Sequence, residues 1–130
     1  MKKNYNGFAL IEVVIVVILV SGSFLVFLEA LNQTKTLQVR SEVISKQTMV
    51  LNQKINQSRA VGFDNLNSII NYTTVPNNPA FQYSINISFV NENLEPINNT
   101  QTDYKLVEVN VRHSSNNYSP IKDIFLMTKK

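Results

Sequence analysis

Phe8-Ala9-Leu10-Ile11-Glu12-Val13-Val14-Ile15-Val16-Val17-Ile18-Leu19-Val20-Ser21-Gly22-Ser23-Phe24-Leu25-Val26-Phe27-Leu28-Glu29-Ala30-Leu31 is apolar apart from two glutamates and a Ser-Gly-Ser triplet. A hydrocarbon layer of about 30 Å takes roughly 20 such residues as a helix. The run Val13 to Ile18 is β-branched and would favour a strand in water. In lipid only a helix satisfies its own backbone groups, so residues 8–31 are expected to be a transmembrane helix. Lys2 and Lys3 precede it, which places the N-terminus in the cytoplasm and the rest of the chain outside the membrane. A secretory signal peptide fits poorly. Its apolar region is about 7–15 residues and ends at an A-x-A-like cut site, whereas this run is longer and is followed by Asn32-Gln33. A plain single-pass anchor satisfies the hydropathy equally well.

Glu12 separates the readings. A carboxylate near the centre of a membrane helix costs about 2.5–3.5 kcal/mol, and less towards the interface. It either snorkels or is protonated without a role, or it meets a positive partner inside the membrane or an assembly. Phe8 lies four residues before it, about one helical turn, so both occupy one helix face.

The stretch Lys2-Lys3-Asn4-Tyr5-Asn6-Gly7-Phe8-Ala9-Leu10-Ile11-Glu12-Val13 resembles the class III leader and cleavage site of type IV pilins and pseudopilins. Four separable features coincide: leader length, the Gly–Phe junction, the position of the glutamate and the apolar run. The resemblance implies that residues 1–7 are a leader removed after Gly7 by a membrane prepilin peptidase. It implies that the same enzyme N-methylates Phe8. It implies also that Glu12, the fifth mature residue, pairs during assembly with the Phe8 amine of an adjacent subunit. Such a pair is strong in low dielectric, and either charge alone is heavily penalised there, so it would select register among interchangeable apolar helices. A glycine at the junction lets the peptidase seat the backbone closely.

Two departures point away from a fibre-forming major subunit. Glu29 stands where many major pilins carry a helix-kinking proline, and the chain has no cysteine for the C-terminal disulfide loop common among them. The C-terminal part is similar to the V-type minor pilins and the I-type minor pseudopilins of type II secretion. Partners implied are prepilin peptidase, other minor and major pilin subunits, the inner-membrane assembly platform and the lipid bilayer.

Beyond the apolar run, Leu37, Ile44 and Leu51 recur every seven residues, with Val43, Val50 and Ile55 beside them. Lys35, Arg40, Glu42, Lys46, Gln53 and Lys54 fall on the other face, so residues 32–60 are expected to extend the helix amphipathically. Gly62-Phe63-Asp64-Asn65 reads as its stop, and residues 66–72 as a further short helical turn. Pro76-Asn77-Asn78-Pro79 reads as a loop. The period then changes to two: Phe81, Tyr83, Ile85, Ile87 and Phe89 alternate with polar residues. A second strand is expected over 104–112, with Lys105, Val107, Val109 and Val111 on one side. A third spans 122–128, with Lys122, Lys129 and Lys130 protecting the sheet edges. The expected fold class is therefore α+β: a long N-terminal helix packed against a small antiparallel sheet of about three strands, with residues 61–130 as a β-rich head.

The chain has 130 residues and no cysteines, which excludes disulfides and thiolate metal sites. Formal charge is +3, scattered along the sequence; removal of Lys2 and Lys3 with a leader lowers it by two, to +1. A nucleic-acid footprint is therefore weak, despite Tyr72, Tyr83, Tyr104 and Tyr118 near Lys105 and Arg112. The single histidine, His113, neighbours Ser114 and Ser115 in an expected loop with no acid placed to orient the ring. With three glycines and no ligand cluster, neither a phosphate loop nor a metal or cofactor site is expected. The expected function is structural: a minor pilin or pseudopilin, inserted in the inner membrane and then incorporated in a pilus or pseudopilus. The competing readings are a DNA-binding or adhesive tip module and a simple membrane-anchored adaptor.

Overall fold

The computed structural model describes residues 8–97 and 102–129, with side chains from Leu10 onward. The fold is α+β. Helix α1 (Phe8–Val61) is followed by strands β1 (Ile69–Val75), β2 (Asn78–Phe89), β3 (Tyr104–His113) and β4 (Ile121–Thr128). The strands form one antiparallel sheet in chain order, β1-β2-β3-β4. The chain divides into two compact units after Arg40, and the helical residues from Ser41 onward belong to the same unit as the sheet.

Alternation in β3 decides which face of the sheet is covered. Lys105, Val107, Val109 and Val111 are all buried, the three valines fully, while the residues between them are half-buried. Their cross-strand neighbours complete the layer: Val109 pairs with Ile85, Val111 with Tyr83 and Val107 with both Ile87 and Phe125. Val50, Leu51 and Ile55 of α1 close it, together with Phe81, Leu66 and Val75. Complete burial of one such side chain is worth about 1.5–3 kcal/mol, so this layer supplies most of what a head this small has to hold it folded.

The sheet has four strands rather than about three. The additional one is β1, which takes up most of the stretch expected to be a helical turn. Ile69, Ile70, Thr73, Thr74 and Val75 are β-branched and suit a pleated surface better than a helix. Pro76-Asn77 forms a two-residue turn, and β2 already begins at Asn78, inside the expected loop. The β1–β2 register is irregular: Ile69 faces Ile85 but Thr73 faces Tyr83, and a second shift falls between Thr74 and Val75. Pro79 lies opposite that second shift, as expected of a residue without an N–H to give the ladder. The bulges bend this edge strand away from further pairing. On the other edge the Asp123 carboxylate accepts the Ile124 N–H at 2.8 Å, and Lys122 lies 3.9 Å from Glu108. Lys130 lies outside the described residues.

The buried stripe of α1 differs from the expected one. It consists of Gln47, Val50, Leu51, Lys54, Ile55 and Ser58, with Val43 half-buried. Leu37 and Ile44 are exposed, at 66% and 45%. Leu37 stands about five full turns before the buried Ile55, at the same helical angle, and Ile44 falls within the arc of the stripe; both are exposed because the buried stretch of the helix begins only at Gln47. Lys54 is inside the stripe and not on the solvent face. The helix stops where expected: Gly62 has φ of 84°, the left-handed conformation of a C-terminal cap, for which glycine carries no penalty. Arg59 in the last turn lies 4.9 Å from the centre of the Phe125 ring.

Between β2 and β3, Asn91 Oδ1 accepts the N–H groups of Asn93 and Glu95, both at 2.9 Å. This ties down a turn in which Leu94 has φ of 64°.

These contacts set a stability ranking. Phe81→Ala should destabilise the head by about 3–5 kcal/mol, because Phe81 is 2% exposed in the centre of the core. Ile70→Ala, at an 82% exposed position, should stay within about 0.5 kcal/mol of the parent chain. Urea unfolding of the full chain in neutral detergent micelles measures both.

Candidate functional site

In the N-terminal unit, every large apolar side chain over residues 10–31 is exposed, from 42% at Leu28 to 71% at Leu10. Contiguous apolar surface on this scale marks contact with lipid or with another protein. This is one helix long and apolar enough to cross a membrane. It runs unbroken through Ser21-Gly22-Ser23, and the Ser23 hydroxyl donates to the Leu19 carbonyl at 2.8 Å, which satisfies it without water. An added Cβ at Gly22 meets nothing within 4 Å. No close contact inside this chain therefore requires that glycine.

Of the residues singled out from the sequence, Phe8 opens α1 and Glu12 lies one turn beyond it on the same face. Glu12 is exposed, with no ion-pair partner among the described residues. Gly7 and residues 1–6 lie outside the described residues, as does the Phe8 side chain. The energetics of the span still favour insertion. Each Leu, Ile, Phe or Val at a helix centre contributes about −0.3 to −0.6 kcal/mol, so about four to twelve of them offset one glutamate.

The head holds polar groups that pattern reading placed elsewhere or did not single out. Gln47 is fully buried; its amide donates to the Ser119 carbonyl at 3.3 Å and its Oε1 has no partner among the described residues. It fastens the β3–β4 loop to the helix. Lys105 donates to the Phe63 carbonyl, with its ammonium 4.4 Å from the Phe63 ring centre and 5.3 Å from that of Phe89. It thereby holds the segment after α1 against β3. Beside it lies a polar cavity of about 220 Å³ that includes Asp64, Asp103 and Lys129, with Lys129 3.9 Å from Asp64. Lys105 was visible in sequence, because it continues the two-residue alternation of Val107, Val109 and Val111.

His113 ends β3 instead of lying wholly in a loop. Phe81 and Tyr118 present edge-type contacts to its ring at 5.2 and 4.9 Å, and its Nδ1 accepts the Ser115 N–H at 3.0 Å. That nitrogen is engaged in shaping the turn. Among the described residues, no three His, Asp or Glu side chains gather closely enough to hold a metal ion.

Lys54 is the most informative of these groups. It is 8% exposed, donates to Gln57 Oε1 at 3.1 Å and lies 4.1 Å from the Tyr83 ring centre. Its long stem crosses the apolar layer while its ammonium reaches polar atoms at the margin. Desolvation by burial lowers its pKa below the ordinary lysine value of 10.5. Spacing offered a signal here too: Lys54 is seven residues from Gln47 and four from Val50, inside the buried stripe.

The lowered pKa fixes the sign of a pH effect. Between the folded pKa and the unfolded one, the unfolded chain binds more protons, so stability rises with pH through that window. The urea midpoint of the full chain in micelles should therefore climb as pH approaches 10.5, and Lys54→Met should flatten that component of the slope. An unchanged slope in a folded Lys54→Met protein would contradict the assignment.

A scan against models of protein families finds no match to this chain, and searches of curated proteins and of solved structures find none either.

Proposed function

We propose that the chain is a minor pilin or pseudopilin: a structural, non-catalytic subunit cut after Gly7 by a prepilin peptidase and assembled through its N-terminal helix. The observation that carries this reading is one carboxylate, Glu12, one turn after Phe8, in a helical stretch whose large apolar side chains over residues 10–31 are all exposed. Cleavage at the Gly7–Phe8 junction would turn a neutral peptide nitrogen into a cationic amine at the level of that carboxylate. Methylation of Phe8 keeps the amine protonatable. In a low-dielectric assembly, the amine of one subunit and Glu12 of the next neutralise each other, and a register that leaves either alone is strongly disfavoured.

The α+β head, the absence of cysteines and Glu29 in place of a proline favour a minor over a major subunit. In this reading the protein resides in the bacterial inner membrane with its head outside. From there it joins other minor and major subunits on the assembly platform, at the tip or initiation complex of a pilus or pseudopilus.

Intact-mass analysis of the full chain, co-expressed with an active prepilin peptidase, should give a protein starting at N-methyl-Phe8. A chain that still begins at Met1 under those conditions would sink the proposal. Glu12→Ala should still be cut but should lose most co-purification with partner subunits; undiminished co-purification would instead favour a plain membrane-anchored adaptor.

A further inference from the structure

Two adjoining cavities lie along one flank of the head portion of α1, beside β1 and the β1–β2 turn. One, of about 350 Å³, is bounded by Met49, Val50 and Val75; the other, of about 260 Å³, by Val61, Leu66 and Ile69. Lys54 and Gln57 line both and form the sill between them. Among the described residues neither cavity is lined by a carboxylate; Lys46, which also lines the larger one, is paired with Glu42 at 2.7 Å.

The sill is short of acceptors. An ammonium carries three N–H groups. One Lys54 N–H donates to Gln57 Oε1, and the Tyr83 ring is the other electron-rich neighbour. Because Gln57 Oε1 is engaged by Lys54, its Nε2 presents donors beside the ammonium. An ammonium and an amide side by side match the two oxygens of one carboxylate. A phosphate would bring nearly two negative charges to a single ammonium between apolar walls, leaving charge uncompensated. The apolar walls on either side of the sill call for apolar groups on both sides of the acid.

We infer that this flank of the head binds a partner segment in which an acidic residue is flanked by apolar ones, the carboxylate seated on Lys54 and Gln57 and the apolar side chains entering the two cavities. The site belongs to the head alone and does not depend on processing at Gly7 or on Glu12.

The test is an NMR titration of the full chain in neutral micelles with the peptide acetyl-Leu-Glu-Leu-amide. Saturable shifts should be confined to backbone amides around the two cavities, such as those of Val50, Gln57 and Ile69. Affinity should fall by about tenfold or more for acetyl-Leu-Gln-Leu-amide and for Lys54→Met, the loss expected for one charge-assisted hydrogen bond, while Lys54→Arg should retain most binding. Should Lys54→Met fail to fold, the two peptides still decide on the parent protein. Equal binding of the two peptides, unchanged binding by a folded Lys54→Met, or no saturable shift would overturn the site. Free 4-methylpentanoate binding as tightly as the acidic peptide would overturn the assignment to a partner segment.

Discussion

A four-stranded sheet with one apolar face cannot stand in water uncovered, and here a single stretch of helix covers it. Val50, Leu51 and Ile55 lie over Val107, Val109 and Phe125, and much else in the head depends on that seat. The alternation of β3 points its valines at the helix, and the registers of β2 and β4 carry Ile85 and Phe125 to the same layer. Gly62 lets the chain turn out of the helix, and Lys105 fastens the Phe63 backbone to the sheet. A small head has few apolar contacts to spare, so loss of one central residue such as Phe81 removes a large share of its stability.

The seat is not purely apolar. Gln47, Lys54 and Ser58 occupy the same stripe as the valines and leucine. A leucine at Gln47 would bury comparable surface without desolvating polar atoms, and two of the three retain a buried oxygen with no partner among the described residues, Gln47 Oε1 and Ser58 Oγ. Gln47 offsets part of that cost by holding the β3–β4 loop, and Lys54 by reaching Gln57 and the Tyr83 ring. Gln47 and Lys54 therefore each tie the helix to specified neighbours, which apolar contacts alone do not do.

The N-terminal unit has a different surface, suited to a membrane by length and composition. Its apolar residues are exposed all round, and Ser23 returns its hydroxyl to the helix backbone. In such a segment apolar side chains are interchangeable, and an ionisable group well inside it, such as Glu12, would carry the information about register. The proposal for Glu12 rests on that asymmetry: a few kcal/mol of penalty is tolerable in the subunit if assembly relieves it.

The sequence by itself determined the features that depend on local composition and period. The membrane-capable helix comes from an apolar run too long for anything else in lipid. Strands β2 and β3 come from two-residue alternation, β4 from the apolar run that follows the loop ending at Pro120, and the helix stop from Gly62. The Gly7–Phe8 junction and the spacing to Glu12 are also motifs of order and spacing, and their role in processing and assembly is a proposal that rests on the sequence. Tertiary structure decided the rest. Strand β1 exists because β2 offers it a partner and Pro76-Asn77 turns the chain back, and it lacks the alternation that marks β2 and β3. Leu37 and Ile44 share the heptad of Leu51 yet remain exposed, while Lys54, placed by its charge on the solvent face, is buried. Which stretch of an amphipathic helix is covered, and which polar residues fall under the cover, depends on where the sheet meets it, and no local pattern contains that choice.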